Sequence, residues 1–292
     1  MNELAFPGWN ARRADVGSGM LRFVTCLAAL ASSAVAASKN PLDVTLVSEV
    51  RAVAPGQLFH LGLRLKAPDG FHSYWKNPGI VGLATRADWS LPEGFTAGAI
   101  QWPAPQLVKM ADYTAQGYRG ETLLIIPITP PATLEGPTVT LNAKVSWMCC
   151  STSCHHANDV PFSITLPVAA AAEADPTTAE LFRSERARVP RPDPAWSSSF
   201  ERKGDTVTLT LTPAAPSTAR KVADLGSIRF FTGDGQIDSD QPQVLTAGPG
   251  ETVRLTLRLS DTGPKKPVGL PGVLHAENGW DQSGSPTHIE IQ

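Results

Sequence analysis

Residues 43–66 read DVTLVSEVRAVAPGQLFHLGLRLK, and the fold turns on this run. Val44, Leu46 and Val50, then Leu58, Leu61, Leu63 and Leu65, alternate with polar or small neighbours. That two-residue period is the pattern of half-buried strands. Pro55-Gly56 and Pro68-Asp69-Gly70 supply the turns around them. The same reading gives strands at His72–Lys76, Ala87–Leu91, Leu123–Ile128, Val139–Trp147 and Phe162–Leu166. Asn77-Pro78-Gly79, Pro92-Glu93-Gly94 and Glu135-Gly136-Pro137 are read as turns between them. No helical period is sustained in this part, and short strands at this spacing predict an antiparallel, immunoglobulin-like sandwich.

After it, Ala169 to Ala174 is nearly pure alanine, and Thr177 or Thr178 is placed to cap a short helix through Phe182 and Arg186. Val189-Pro190-Arg191-Pro192-Asp193-Pro194 then stops the helix and stiffens the connection. Strands resume at Thr206–Leu211, Ile228–Phe231, Val253–Leu259 and His288–Ile291. The expected fold class is therefore all-β, with two immunoglobulin-like antiparallel β-sandwich domains at 40–168 and 196–292. Between them lies an Ala/Pro-rich linker, 169–195, that has room for one helix. The second part holds no cysteine and reads as a structural or docking domain.

The 292 residues suffice for two such domains, and 42% hydrophobic residues suffice for their cores. Lys plus Arg number 25 against 27 Asp plus Glu, a net charge of -2, which argues against nucleic acid as a partner. Leu21 to Ala37 is an Ala-rich apolar run that follows Arg12 and Arg13, contains Arg22, and ends in small residues. Residues 1–37 thus read as a secretory signal peptide cleaved after Ala36 or Ala37, with Met20 as an alternative start. Export would place the mature chain in an oxidising compartment. No stretch reaches the roughly 18 apolar residues of a membrane span.

Of the four cysteines, Cys26 lies in the signal segment; Cys149, Cys150 and Cys154 crowd one short run, followed at once by His155 and His156. Three chemistries compete. A redox dithiol of Cys150 and Cys154 needs the chain to fold back. Extended strand would hold their Cα atoms roughly 13 Å apart, whereas a disulfide needs about 4.4–6.8 Å. So short a loop gives a weak staple, about 2 kcal/mol, and reversible exchange is the better use for it. The adjacent imidazoles, if protonated, could help stabilise a thiolate. A soft-metal site for copper or zinc could draw on Cys149, Cys150, Cys154, His155 and His156, with His60 or His72 added only through the fold. The third reading is a structural disulfide with a spare thiol.

Several further runs carry a resemblance. They are Asp69-Gly70-Phe71-His72-Ser73-Tyr74-Trp75-Lys76-Asn77-Pro78-Gly79, Leu91-Pro92-Glu93-Gly94-Phe95, Ile100-Gln101-Trp102-Pro103-Ala104-Pro105, Gly117-Tyr118-Arg119-Gly120-Glu121, and Val145-Ser146-Trp147 before a Cys-x3-Cys. Together they resemble the periplasmic amino-terminal region of the DsbD-type thiol:disulfide interchange proteins. The branch related to the suppressor-of-copper-sensitivity protein ScsB, with its two β domains, looks most similar. Residues 40–168 resemble it well. Residues 196–292 resemble it more loosely, chiefly at 272–280.

The resemblance implies a protein-disulfide reductase relay through Cys150 and Cys154. Cys149, His155 and His156 are read beside that pair as modulators, with no cofactor expected and copper as the alternative. It implies a cap loop at Trp102, Pro103, Ala104 and Pro105. It also implies periplasmic thioredoxin-like or disulfide-isomerase partners and, since this chain carries no membrane domain, a separate membrane electron donor. Two departures stand out. Cys149 is extra, leaving 149–154 open as a pairing, and His155-His156 replaces the apolar residue and proline expected there. Phe71, Tyr74 and Trp75 read as core aromatics.

Overall fold

The alternating run at 43–66 becomes β1 (Asp43–Ser48), β2 (Val50–Ala52) and β3 (Phe59–Lys66), with Phe59, Leu61, Leu63 and Leu65 buried. The computed structural model describes residues 40–216 and 219–292, so the expected signal segment at 1–37 lies outside the described residues. One member of the inward series is corrected. Leu58 is exposed, because a two-residue period through 61, 63 and 65 selects Phe59.

The chain continues through β4 (Ser73–Gly79), β5 (Arg86–Ser90), β6 (Thr96–Ala97), β7 (Gln106–Met110) and β8 (Tyr113–Tyr118). Next come β9 (Glu121–Thr129), β10 (Thr138–Cys150), β11 (Cys154–Pro167) and the short β12 (Glu173–Ala174). A sheet ordered β1-β3-β9-β6 faces a second ordered β11-β10-β5, and a third, β4-β8-β7, lies beside the end of β10. Every ladder is antiparallel and the core lies between the first two sheets, where Leu61 and Leu63 meet Leu141, Val145 and Trp147. Asn77-Pro78-Gly79 is not a turn but the end of β4. Beyond a register shift, Gly79 pairs with Ala115.

The unbroken apolar run Leu123–Ile126 in β9 has a simple cause: both faces of the strand are covered. Leu124 and Ile126 enter the sandwich core, while Leu123 and Ile125 lie under Phe182 of α1 (Ala179–Arg188). Thr178 stands at the helix N-cap, yet its hydroxyl donates to the Ser48 carbonyl at 2.7 Å, tying the helix to β1. The helix ends where Val189 turns extended, the conformation that the following Pro190 favours. The buried Glu185 accepts from the Thr122 hydroxyl and pairs with Arg188 at 2.7 Å.

The remaining strands are β13 (Trp196–Lys203), β14 (Thr206–Pro213), β15 (Ile228–Thr232), β16 (Val244–Ala247), β17 (Val253–Arg258), β18 (Gly272–Ala276) and β19 (His288–Ile291). Sheets β13-β14-β17-β16 and β15-β18-β19 enclose a second core around Leu209, Leu255, Phe230, Leu274 and Trp280. Phe231 and Val273 face the other way and join the first core, so residues 40–292 form one compact unit. Among the described residues, no helix is long and apolar enough to cross a membrane.

Candidate functional site

The fold-back that a Cys-x3-Cys disulfide demands is a β-hairpin. β10 and β11 pair in register up to Cys150 opposite Cys154, and only Ser151, Thr152 and Ser153 lie between. Cys150 N–H donates to the His72 carbonyl at 3.0 Å, and His72 N–H donates back to Cys150 at 2.9 Å. Both backbone groups of Cys150 therefore point away from β11. The Cys150/Cys154 pair is of the non-hydrogen-bonded kind, in which side chains approach most closely. The two sulfurs are bonded, with Cα atoms 4.2 Å apart. Of the alternatives the sequence left open, 150–154 is thus the pair, and Cys149 is a free thiol.

The pleat explains why Cys149 takes no part. Successive strand residues point to opposite faces. Cys149 enters the main core with Trp147, whereas Cys150 shares the other face with Met148, Tyr74, Val108 and Ala115. Burial pushes the Cys149 thiol up to about 11, so it stays protonated and inert. The same rule divides the histidines. His155 sits opposite Cys149 and leans on Phe71, while His156 sits opposite Met148 on the disulfide side. The five-donor metal cluster at 149–156 is therefore not assembled. Among the described residues, no group of three or more His, Cys, Asp or Glu stands ready for a metal. His60 is engaged elsewhere, at 2.7 Å from Glu49, which Arg186 also holds.

Cys150 is fully buried, and Cys154 is only partly so. What lies against Cys154 is Met110, whose Sδ is 3.5 Å from its Sγ. Met110 ends β7 at the tip of the β7–β8 hairpin, and Val81 packs on the same cluster from the loop after β4. The segment expected as a cap, Trp102–Pro105, has other contacts. Trp102 packs against the main core, the Pro103 carbonyl accepts from Tyr118 at 2.7 Å, and Ala104 N–H donates to Arg188. Those anchors tie the segment to the main core and to the C-terminal end of α1. Nothing in the sequence marks Met110, since its role exists only through the hairpin's return.

His72 and Tyr74 line the inner side of the site. His72 Nε2 is 3.2 Å from the Tyr74 hydroxyl, and both side chains are buried. Burial, aided by the Arg119 charge, lowers His72 to about 4, so it is neutral near pH 7. Burial raises Tyr74 to about 12, with the nearby Cys149 adding to it. Gly82 lets the covering loop lie on the Tyr74 ring, where a Cβ would come within 2.2 Å of it. Tyr74 and Trp75 are core side chains, as the sequence suggested. Cavities of about 590 and 560 Å³ lie elsewhere, the former between Arg183 and His288, the latter between Pro92 and Val168.

Fold and site together define an all-β protein of paired sandwiches with a disulfide at an edge-hairpin tip. Residues 42–174 match the family described as thiol:disulfide interchange protein DsbD, N-terminal. With the Cys150–Cys154 disulfide, the match supports thiol–disulfide exchange. The N-terminal periplasmic domain of ScsB from Proteus mirabilis has a similar fold, with a TM-score of 0.58 at 18% identity over 85% of this chain and 92% of that one. A cohesin module from a Clostridium perfringens family 33 glycoside hydrolase scores 0.23 at 10% identity, over 43% of this chain and 96% of that one. Spo0M of Bacillus subtilis scores 0.22 at 9% identity, over 86% and 89%; neither carries weight here. The comparison with curated proteins finds no significant match.

Proposed function

We propose that this chain is an electron-carrying module that exchanges disulfides with other proteins, with Cys154 as the entry sulfur and Cys150 as the resolving one. The observation that carries this reading is the unequal exposure of the two, since an attacking or attacked sulfur must be reached. In the reduced module, the Cys154 thiolate attacks one sulfur of a partner disulfide. The partner's S–S bond breaks, a Cys154–partner disulfide forms, and the partner's other sulfur leaves as thiolate. The Cys150 thiolate then attacks Cys154 Sγ, which restores Cys150–Cys154 and frees the partner as a dithiol, two electrons richer. Reloading runs the same steps in reverse against a dithiol donor.

The donor in this reading is a separate membrane protein, and the acceptors are periplasmic proteins of thioredoxin-like or disulfide-isomerase type. Exposed Ile80 and Leu83, on either side of Val81, and exposed Tyr113, opposite Met110, support docking of a protein surface here. A periplasmic location agrees with the expected signal segment and with the description of the ScsB relative. The test is a trap. Cys150→Ala leaves Cys154 without a resolving thiol and is expected to accumulate a stable mixed disulfide with an oxidised thioredoxin-like protein. Cys154→Ala is expected to accumulate none, and the reverse outcome would exchange the two roles.

One observation favours a second reading, copper binding. Once Cys150–Cys154 is reduced, its two thiolates and the Met110 thioether form a soft sulfur set suited to Cu(I). Titrating Cu(I) into the reduced protein would then protect both thiols at one equivalent, and Met110→Leu would weaken the uptake. Thiols that remain freely alkylated at one equivalent would exclude it.

A further inference from the structure

The β7–β8 hairpin that carries Met110 is held from outside its own sandwich. The loop after β15 in the second sandwich reaches it with a set of hydrogen bonds. Asp240 Oδ1 accepts from Thr114 N–H at 2.7 Å, and the buried Ser239 hydroxyl donates to the Thr114 carbonyl at 2.9 Å. Beside this loop, Thr232 at the end of β15 accepts at its carbonyl from the side chains of Gln116 in β8 and Asn77 in β4, both at 3.0 Å. Arg229 fixes the loop by donating to the Ser239 carbonyl. The fit is close: a Cβ on Gly79 would stand 2.1 Å from Ser239 Oγ.

Thr114 is the pivot. It adjoins Tyr113, the residue paired with Met110 at the hairpin tip, and its own partner across the ladder is Lys109. Lys109 Nζ donates to the Thr114 hydroxyl at 2.7 Å, so Asp240 grips both strands of the hairpin through one residue. For Met110 to swing away from Cys154, Thr114 must shift against a carboxylate that accepts its N–H, a charge-assisted bond stronger than a neutral one.

We propose that Ser239 and Asp240 are positioning residues. They hold the Met110 hairpin shut over Cys154, and the second sandwich thereby sets how often that sulfur can be reached. The inference rests on the exchange reading above and gives a role to a domain that carries no cysteine. Lid opening is a local equilibrium, and the disulfide reacts from its open fraction.

The test is the rate at which dithiothreitol reduces the disulfide of the full chain, followed by quenched alkylation and mass. Asp240→Ala is expected to speed reduction about tenfold, the factor carried by one hydrogen bond to a charged group. Asp240→Asn keeps an acceptor oxygen but loses the charge and is expected to speed reduction less than Asp240→Ala does, about threefold, and Ser239→Ala is expected to speed it about threefold as well. Met110→Ala is expected to speed it as well. In that background, adding Asp240→Ala is expected to change the rate less than twofold, because the clamp has lost what it holds closed. An unchanged rate in Asp240→Ala, or an equal tenfold gain with and without Met110, would overturn the positioning role alone. A disulfide that dithiothreitol opens in none of these proteins would overturn the exchange reading and this inference with it.

Discussion

At the scale of the residue, the pleat decides which side chains have a role. Cys149 and Cys150 are adjacent in sequence and lie on opposite faces, so one is a core thiol and the other half of the disulfide. The sequence made the Cys-x3-Cys pair legible, because a sulfur spacing can be tested against bond reach. Strand phase at its end was not legible to the same degree, since the register shift between Val145 and Trp147 upsets the count. His72 yields a prediction. Its folded value near 4 lies below its ordinary 6.5, so the unfolded chain binds the extra proton between them. Stability should be unaffected above about pH 6.5 and fall as the pH drops toward about 4, by at most about 1.4 kcal/mol per unit for each such group. His288, lowered to about 4 by burial with His275 and Arg188 beside it, adds in the same direction. Urea unfolding at pH 7 and pH 5 should show a smaller loss for His72→Gln than for the parent; equal losses would contradict this.

At the scale of the element, most strands follow from alternation, yet two pieces needed the folded chain. The helix at 179–188 was legible as a helix, but its packing was not. Phe182 has no apolar stripe around it, only the outer face of β9 waiting at Leu123 and Ile125. Truncating it to alanine should cost about 3–5 kcal/mol in urea unfolding. A loss under about 1 kcal/mol would mean the helix is only draped on the sheet. Met110 went unmarked for a related reason: a tryptophan before a proline is conspicuous, and a methionine at a hairpin tip is not. Met110→Ala should raise the native alkylation rate of reduced Cys154, while Trp102→Ala should lower stability and leave that rate alone. A faster rate in Trp102→Ala at unchanged melting temperature would restore the segment at 102–105 as the cover.

At the scale of the molecule, the two cores meet through Phe231 and Val273, and polar bonds from Thr232, Ser239 and Asp240 hold the face that covers the sulfurs. In the proposed account, exchange belongs to the first sandwich and control of access to the second. A chain ending before Trp196 should melt at a lower temperature, still exchange with a thioredoxin-like protein, and open faster in dithiothreitol. Retained fold with lost exchange would shift part of the chemistry to the second sandwich. The most direct measurement is native mass spectrometry of the chain alkylated without denaturant, before and after reduction. The account predicts no label before reduction and two labels after it, on Cys150 and Cys154, with Cys149 untouched, and no label when the reduced chain meets an oxidised thioredoxin-like protein before the alkylating agent is added. A pair that never takes up label in the folded reduced protein, or never gives up its electrons to that partner, would contradict it.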